Sequence, residues 1–245
     1  MILAKEFFDL QLAFAQKVTT LSGLPLSHAL LGYTNLYIRF GLGRDFDAAQ
    51  PVWLDYLSGL QAAADVGDWT HRFYVARGGE PSGPPVVATF GCFSYARLGE
   101  ERIRLHFKNV EASRVSPLAR EHSGRRIAEL AALFEHVGRT GPQSVRVVGA
   151  SWLYNLEAYR RLFPASYLAT ARVMRGRFRH MPLWGQFLDR HGAVKEHMRG
   201  PFRARLARSC TMDNLDRCFP LPLLSLEASV QHFYDFYGIS SSASV

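Results

Sequence analysis

The sequence predicts an α/β (α+β) fold: N-terminal helices, then a mixed central sheet in which an antiparallel meander leads into a β-α-β crossover, then a helical C-terminal extension. Three observations carry this expectation. Residues 102–108 alternate strictly, with Ile103, Leu105 and Phe107 on one face and Arg104, His106 and Lys108 on the other, the period of a half-buried strand. After a basic, proline-containing turn over 115–126, Ile127, Leu130, Ala131, Phe134 and Val137 recur at the spacing of one apolar helix face, with Gly138 as the stop. Residues 144–150 then read as a buried strand, and 155–163 as a short helix ended by Pro164.

The chain opens with an amphipathic helix over about 2–21, carrying Leu3, Phe7, Leu10, Phe14 and Val18 and ended by Gly23 and Pro25. A second helix, 27–40, holds Leu30, Leu31, Tyr33, Tyr37 and Ile38, and Gly41 and Gly43 follow it. Asp47 or Gln50 starts a third, with Pro51 in its first turn and Val52, Trp53, Tyr56, Leu57 and Leu60 as the buried stripe. From Trp69 the period shifts towards alternation, so 70–76 is expected to be the first strand, 78–85 a hairpin or flexible loop, and 86–95 a central second strand. Gly91 within it implies a bulge or a close approach by another backbone or ligand. The turn at 98–101 completes a three-stranded antiparallel meander.

Beyond Pro164, 167–173 has strand character, 184–188 and 194–208 look helical, 221–226 is a short strand, and 229–237 is a closing helix stopped by Gly238. The basic segment 172–208 must belong to the folded body, because Val173, Phe178, Trp184, Leu188, Phe202 and Leu206 give it an apolar side to bury. With no internal repeat, residues 1–239 read as one domain: a helical part over 1–66, a sheet core over 69–173, an extension over 174–239, and a frayed tail over 240–245.

At 245 residues and 48% hydrophobic composition the chain can bury a large core. Glu6 stands where a signal peptide requires only positive charge, and the best apolar run, 85–96, is too short and too interrupted to span a membrane. Cys92, Cys210 and Cys218 are odd in number and lack the spacing of a zinc site or redox pair, so they read as reduced thiols in a cytoplasmic protein. A net charge of +8, mostly arginine from Arg114 onward, favours a polyanionic partner: nucleic acid, a phosphorylated coenzyme, an acidic carrier protein or an anionic membrane surface. A solvated basic surface without a specific ligand accounts for the same composition.

Two local motifs stand out. Val115-Ser116-Pro117-Leu118-Ala119-Arg120, followed by Glu121-His122-Ser123-Gly124-Arg125-Arg126, is a basic turn with a single glycine, and Asn155-Leu156-Glu157-Ala158 with Leu162-Phe163 forms an Asn-x-x-Ala helix start. In content and order, over about residues 69–173, these stretches resemble the GNAT N-acyltransferase superfamily, whose members move an acyl group from a pantetheine thioester to an amine. The resemblance sets helix, helix, meander, long helix, strand, short helix and strand in the family's sequence. It departs from the family in keeping only Gly124 of the loop glycines, in placing Leu162 where a tyrosine is frequent, and in lacking a first strand before the N-terminal helices.

The resemblance implies acyl-CoA, or the phosphopantetheine of an acyl carrier protein, as acyl donor, held at Arg120, Ser123, Gly124, Arg125 and Arg126. Independently of any family, a helix beginning after Gly124 presents free backbone N–H groups and the positive end of its dipole, with Arg120, Arg125 and Arg126 beside it. An ordinary basic helix start is the competing account. Direct transfer to a small amine or amino acid needs a base for the ammonium proton and an acid for the leaving thiolate. His106 on the polar strand face and Tyr154 are the candidates, with Asn155 to orient substrate or hold a water; structural roles fit His106 and Tyr154 equally. Cys92 would act as a nucleophile only with a histidine partner in space.

No metal site is expected: nine histidines include no His-x-x-x-His pair, and His191 and His197 fall on different helix faces. A Walker loop, a dinucleotide glycine motif and a Gly-x-Ser-x-Gly elbow are all missing from the sequence. The leading reading is an acyltransferase. The alternative is a non-catalytic basic protein that binds a partner, or binds nucleic acid non-specifically through residues 172–208.

Overall fold

The computed structural model describes residues 2–78, 86–111, 115–141, 145–176 and 178–240. Expectations that fall on 79–85, on Arg114, Ser144 and Arg177, and on 241–245 lie outside the described residues. The chain divides into two compact units, Met1–Gly83 with Arg175–Pro222, and Pro84–Met174 with Leu223–Val245. These boundaries differ from the three parts expected along the sequence, because the last segment returns to supply a strand to the sheet.

The first unit is helical. Its α1 (Lys5–Ser22) ends where Gly23 adopts φ 73° and donates its N–H to Thr19 O. The expected helix over 27–40 is two helices, α2 (Leu26–Tyr33) and α3 (Leu36–Arg39), broken at Thr34 and Asn35. Side chains satisfy the break: Thr34 Oγ1 donates to Leu30 O and accepts from Leu36 N, and the buried Gln11 Oε1 accepts from Asn35 N at 2.8 Å. As expected, α4 (Pro51–Ala62) starts at Gln50, whose side chain accepts from Trp53 N.

The stretch 70–76 is helix, not strand. It belongs to α5 (Val66–Ala76), because Asp65 caps it by accepting from Gly67 N and Asp68 N, and Gly67, Thr70 and Tyr74 form its buried stripe. The sequence there satisfies both periods over a few residues, and the cap decides between them. Gly59 makes room for the Trp69 ring, whose Nε1 donates to Tyr56 O.

The C-terminal part of this unit comprises a 3₁₀ segment Met181–Phe187, α9 (Glu196–Arg208) and a second 3₁₀ segment Asp213–Cys218. Trp184, Phe202 and Phe219 pack around Phe14 of α1, with Phe187 against Trp184 and Phe202, so the basic segment is anchored in the folded body. Val173, expected on that apolar side, is 56% exposed. His180 is stacked between Tyr33 and Phe219 and donates from Nε2 to Asp216 Oδ1 at 2.7 Å; Arg179 Nε donates to the same oxygen at 3.0 Å.

The second unit is a six-stranded mixed sheet in the order β1-β2-β3-β4-β6-β5, formed by β1 (Ala88–Phe90), β2 (Phe93–Arg97), β3 (Arg102–Phe107), β4 (Arg146–Ser151), β5 (Arg172–Val173) and β6 (Leu224–Ser229). The meander exists but is shifted. Residues 86–95 fold back on themselves, with Phe90 paired to Phe93 across a Gly91-Cys92 turn in which Gly91 has φ 56°. Crossover helix α6 (Ser123–Thr140) joins β3 to the parallel β4 and runs past Gly138. Its buried stripe is Arg126, Leu130, Leu133, Phe134 and Val137, while Ile127 is 37% exposed.

Residues 167–173 are strand only at Arg172–Val173, because Pro164 starts α8 (Ala165–Leu168), which places Tyr167 in the core. The C-terminal stretch is not wholly helical. β6 alternates Leu224, Leu226 and Ala228 with Ser225, Glu227 and Ser229, and lies inside the sheet, pairing along its whole length with β4 before α10 (Gln231–Tyr237) closes the chain.

The pairing registers put Phe93, Tyr95, Ile103, Leu105, Val147, Gly149, Leu226 and Ala228 on the face that joins the helix-side core. Over Gly149 the Tyr154 and Tyr167 hydroxyls hydrogen-bond each other at 2.9 Å, and a Cβ at position 149 would lie 2.2 Å from both oxygens. Gly149→Ala is therefore expected to cost about 1–3 kcal/mol by overpacking, with Gly149→Val worse. Urea unfolding of the variants measures it, and an unchanged midpoint for both would show that the tyrosine pair does not confine this strand.

Acid should destabilise the first unit. Burial lowers the His180 pKa against the opposing pull of Asp216, and although burial works against the Asp216 carboxylate, the His180 and Arg179 hydrogen bonds hold it below its ordinary value. Both groups bind protons more readily when unfolded, so their contribution is full above a pH of about 6.5 for the histidine and about 4 for the aspartate, and is lost as pH falls through the folded values. Trp53, Trp69 and Trp184 all report on this unit. The unfolding midpoint followed by their fluorescence should drop between pH 7.5 and 5.5, and His180→Phe should flatten the drop.

Candidate functional site

The β3 and β4 ladder is short. Arg102 pairs with Arg146, Ile103 with Val147 and Arg104 with Val148, yet β3 runs on to Phe107 and β4 to Ser151. The outer edges stay anchored, since His106 and Phe107 pair with Ser94 and Phe93 of β2, and Gly149, Ala150 and Ser151 pair with β6. Among the described residues, the facing edges beyond Arg104 and Val148 do not pair with each other. A parallel sheet thus opens at its carboxyl end, where the crossover helix begins and where open α/β sheets receive ligands.

On the helix side this opening is walled by rings. Tyr159 packs on Phe93, Phe107, Tyr154 and Phe163, while Tyr154 also meets Phe163 and Tyr167. The opposite face carries Ser94, Arg104 and His106 beside Val148, Ala150, Ser225 and Glu227, with Arg146 Nε donating to Glu227 Oε1.

The three candidate catalytic residues are therefore not brought to one point. His106 is half-buried on the polar face. Tyr154 is 3% exposed on the other face, where burial first and the neighbouring Tyr167 second raise its pKa well above the ordinary phenol value. Asn155 Nδ2 donates to Trp152 O at 2.8 Å and so closes the 3₁₀ turn Trp152–Asn155 that leads from β4 into α7 (Glu157–Arg160).

The expected coenzyme residues divide in the same way. Arg120, Gly124 and Arg125 are exposed, Ser123 is half-buried, and a side chain added at Gly124 would meet open space. A 3₁₀ turn, Arg120–His122, runs directly into α6. Arg126 points the other way and is fully buried. Its Nη2 lies 2.5 Å from Glu111 Oε1 and 3.1 Å from Glu129 Oε1, and Nη1 donates to Cys92 Sγ. Arg125 Nη1 also reaches Glu111 at 2.8 Å, and Glu129 Oε2 accepts from Cys92 N at 3.0 Å. The Arg126 hydrogen bond, aided by both guanidinium charges, holds the Glu111 carboxyl below its ordinary range against desolvation.

Arg126 is thus a structural cation rather than a member of an exposed helix terminus. The Arg125–Glu129 and Arg126–Glu129 spacings of four and three were legible in the sequence. The roles of Glu111 and Cys92 were not, because each comes from a separate turn. The partner of the Cys92 sulfur is an arginine, so the histidine-activated nucleophile is not assembled.

Comparisons with protein-family models, curated proteins and solved structures find no match. Among the described residues no group of three or more His, Cys, Asp or Glu converges as a metal would require, and no helix is long and apolar enough to cross a membrane.

Replacing Arg126 strands two mostly buried carboxylates, whereas Arg125 lies at the surface. Arg126→Met should lower the thermal midpoint by roughly 10 °C and Arg125→Met by about 2 °C or less, as differential scanning calorimetry measures. Equal small losses would mean that the carboxylates find other partners.

Proposed function

We propose that the chain is a GNAT-like acyltransferase that moves an acyl group from acyl-CoA, or from carrier-protein phosphopantetheine, to a small amine or amino acid by direct transfer. The observation that carries this reading is the parting of β3 and β4 beyond Arg104 and Val148, with the open start of α6 in the crossover between them. Unpaired strand edges offer backbone N–H and C=O groups to an extended, amide-bearing ligand. The pantetheine arm is such a ligand, and its thioester supplies the activated acyl group.

The residues at the helix start fit a phosphate-bearing donor in a reduced form. Arg120 and the backbone amides around Gly124 are the groups we assign to the diphosphate; Arg125 shares its charge with Glu111 and Glu129. Attack of the amine nitrogen on the carbonyl carbon forms the amide bond and breaks the carbon–sulfur bond. His106 is assigned to take the proton that the attacking nitrogen loses, and its imidazolium returns that proton to the leaving thiolate, giving the free coenzyme thiol. Tyr154, its hydroxyl shared with Tyr167 over Gly149, is assigned to the wall of the opening rather than to proton donation.

Titration calorimetry with acetyl-CoA and longer acyl-CoAs tests the donor site. Wild type should bind, while Gly124→Trp and Arg120→Glu, both at exposed positions, should fold normally and bind at least about tenfold more weakly. His106→Gln should retain binding but lower transfer to a panel of small amines by roughly 10²–10⁴-fold and remove the acid limb of the pH profile. No acyl-CoA binding by the wild type, or unchanged binding by both site variants, sinks the reading.

A further inference from the structure

The first unit carries an open surface concavity of about 170 Å³ lined by Arg205, Arg208, Ser209, Asn214 and Arg217. Arg205 and Arg208 lie in the last turn of α9, Ser209 follows as its C-cap, and Asn214 and Arg217 come from the 3₁₀ segment Asp213–Cys218. Both elements are pinned beneath the concavity: Leu206, Leu215, Cys218 and Phe219 are buried, and the Ser209 hydroxyl lies 3.8 Å from Cys218 Sγ while donating to Arg205 O. The three arginines, all exposed, therefore line one concavity from backbones that are fixed.

Like charges gathered around one concavity repel unless something neutralises them. Among the described residues no carboxylate forms an ion pair with Arg205, Arg208 or Arg217. The nearby carboxylate Asp216 is committed to His180 and Arg179. Arg205 Nη1 makes a long hydrogen bond of 3.4 Å to Arg217 O. Between residues 175 and 222 the sequence holds ten Lys and Arg against four Asp and Glu, so the surrounding field has the same sign.

We propose that this concavity binds a phosphate monoester dianion. Planar guanidinium forks match tetrahedral phosphate oxygens two at a time, and a dianion offers three terminal oxygens to donors arriving from two elements. The Asn214 amide adds an uncharged donor. A phosphodiester backbone carries one charge per unit and suits a basic stripe along a surface; here three arginines line a single concavity. The site lies in a different unit from the acyl-donor site and does not depend on that reading.

Isothermal titration of the full chain with inorganic phosphate is the test, with phenyl phosphate and a single-stranded oligonucleotide as the other arms. Saturable binding is expected for both phosphates, tighter as pH rises through the second ionisation of each, about 6 for the monoester, with the oligonucleotide weaker per phosphate. Arg208→Met and Arg217→Met should each weaken phosphate binding roughly tenfold or more. Arg203→Met, which removes one charge from the same helix outside the concavity, should change it by less than about twofold.

The proposal is overturned if folded wild type shows no saturable phosphate binding or if Arg203→Met weakens it as much as Arg217→Met. It also fails if the oligonucleotide binds tightly without being displaced by phosphate. Circular dichroism of each variant confirms that a loss is not unfolding; a variant that does not fold is replaced by Arg217→Lys, which keeps the charge and loses the fork, and for which reduced affinity is again expected.

Discussion

A guanidinium group keeps its charge at any pH a protein meets, so an arginine on the inner face of a helix must be neutralised where it stands. Arg126 sets this condition for the second unit. Glu129 answers it from the next turn of α6, Glu111 from the segment after β3, and Cys92 from the turn between β1 and β2. Because Glu129 also accepts the Cys92 N–H, its carboxylate occupies the space that a side chain at Gly91 would need: a Cβ there would lie 2.1 Å away. One charge cluster thereby fixes a hairpin turn, a loop and the rotation of the crossover helix, and it turns Ile127 outward.

The same unit is closed on its helix side by aromatic rings whose polar tips satisfy one another. Tyr154 and Tyr167 share a hydrogen bond above Gly149, Tyr237 donates to Leu162 O, and Phe134 stacks on Phe233. Burial raises the pKa of Tyr154, Tyr159, Tyr167 and Tyr237, so these hydroxyls remain protonated donors within the wall. The parting of β3 and β4 is consequently hydrophobic on one face and carries His106, Arg104 and Ser94 on the other. That asymmetry gives the proposed transfer reaction a single side on which a proton can move.

In the first unit, buried polar groups join segments far apart in the chain. Gln11 meets Asn35 at the break between α2 and α3, Trp184 Nε1 donates to Tyr33 O, and His180 links to Asp216 between two aromatic rings. Each pairing commits a side chain that the sequence presents as free. Arg205, Arg208 and Arg217 line one concavity without a carboxylate partner among the described residues, and that makes them informative.

Local pattern carried much of the architecture. The strand at 102–108, the Gln50 and Pro51 start of α4, the helix running through Leu130, Phe134 and Val137, and the Gly238 stop were legible because each depends on side-chain period or a terminal residue close in sequence. His106 could be assigned to the polar face by the same alternation. Where two periods fitted a short stretch, as at 70–76, the Asp65 cap and the packing of Tyr74 decided for helix. Which strands adjoin, that β6 enters between β4 and β5, that Arg126 rather than Ile127 turns inward, and that Tyr154 and His106 lie on opposite faces were settled by tertiary structure alone. Such outcomes rest on hydrogen-bond register and charge neutralisation between residues tens of positions apart, and no local periodicity encodes those pairings.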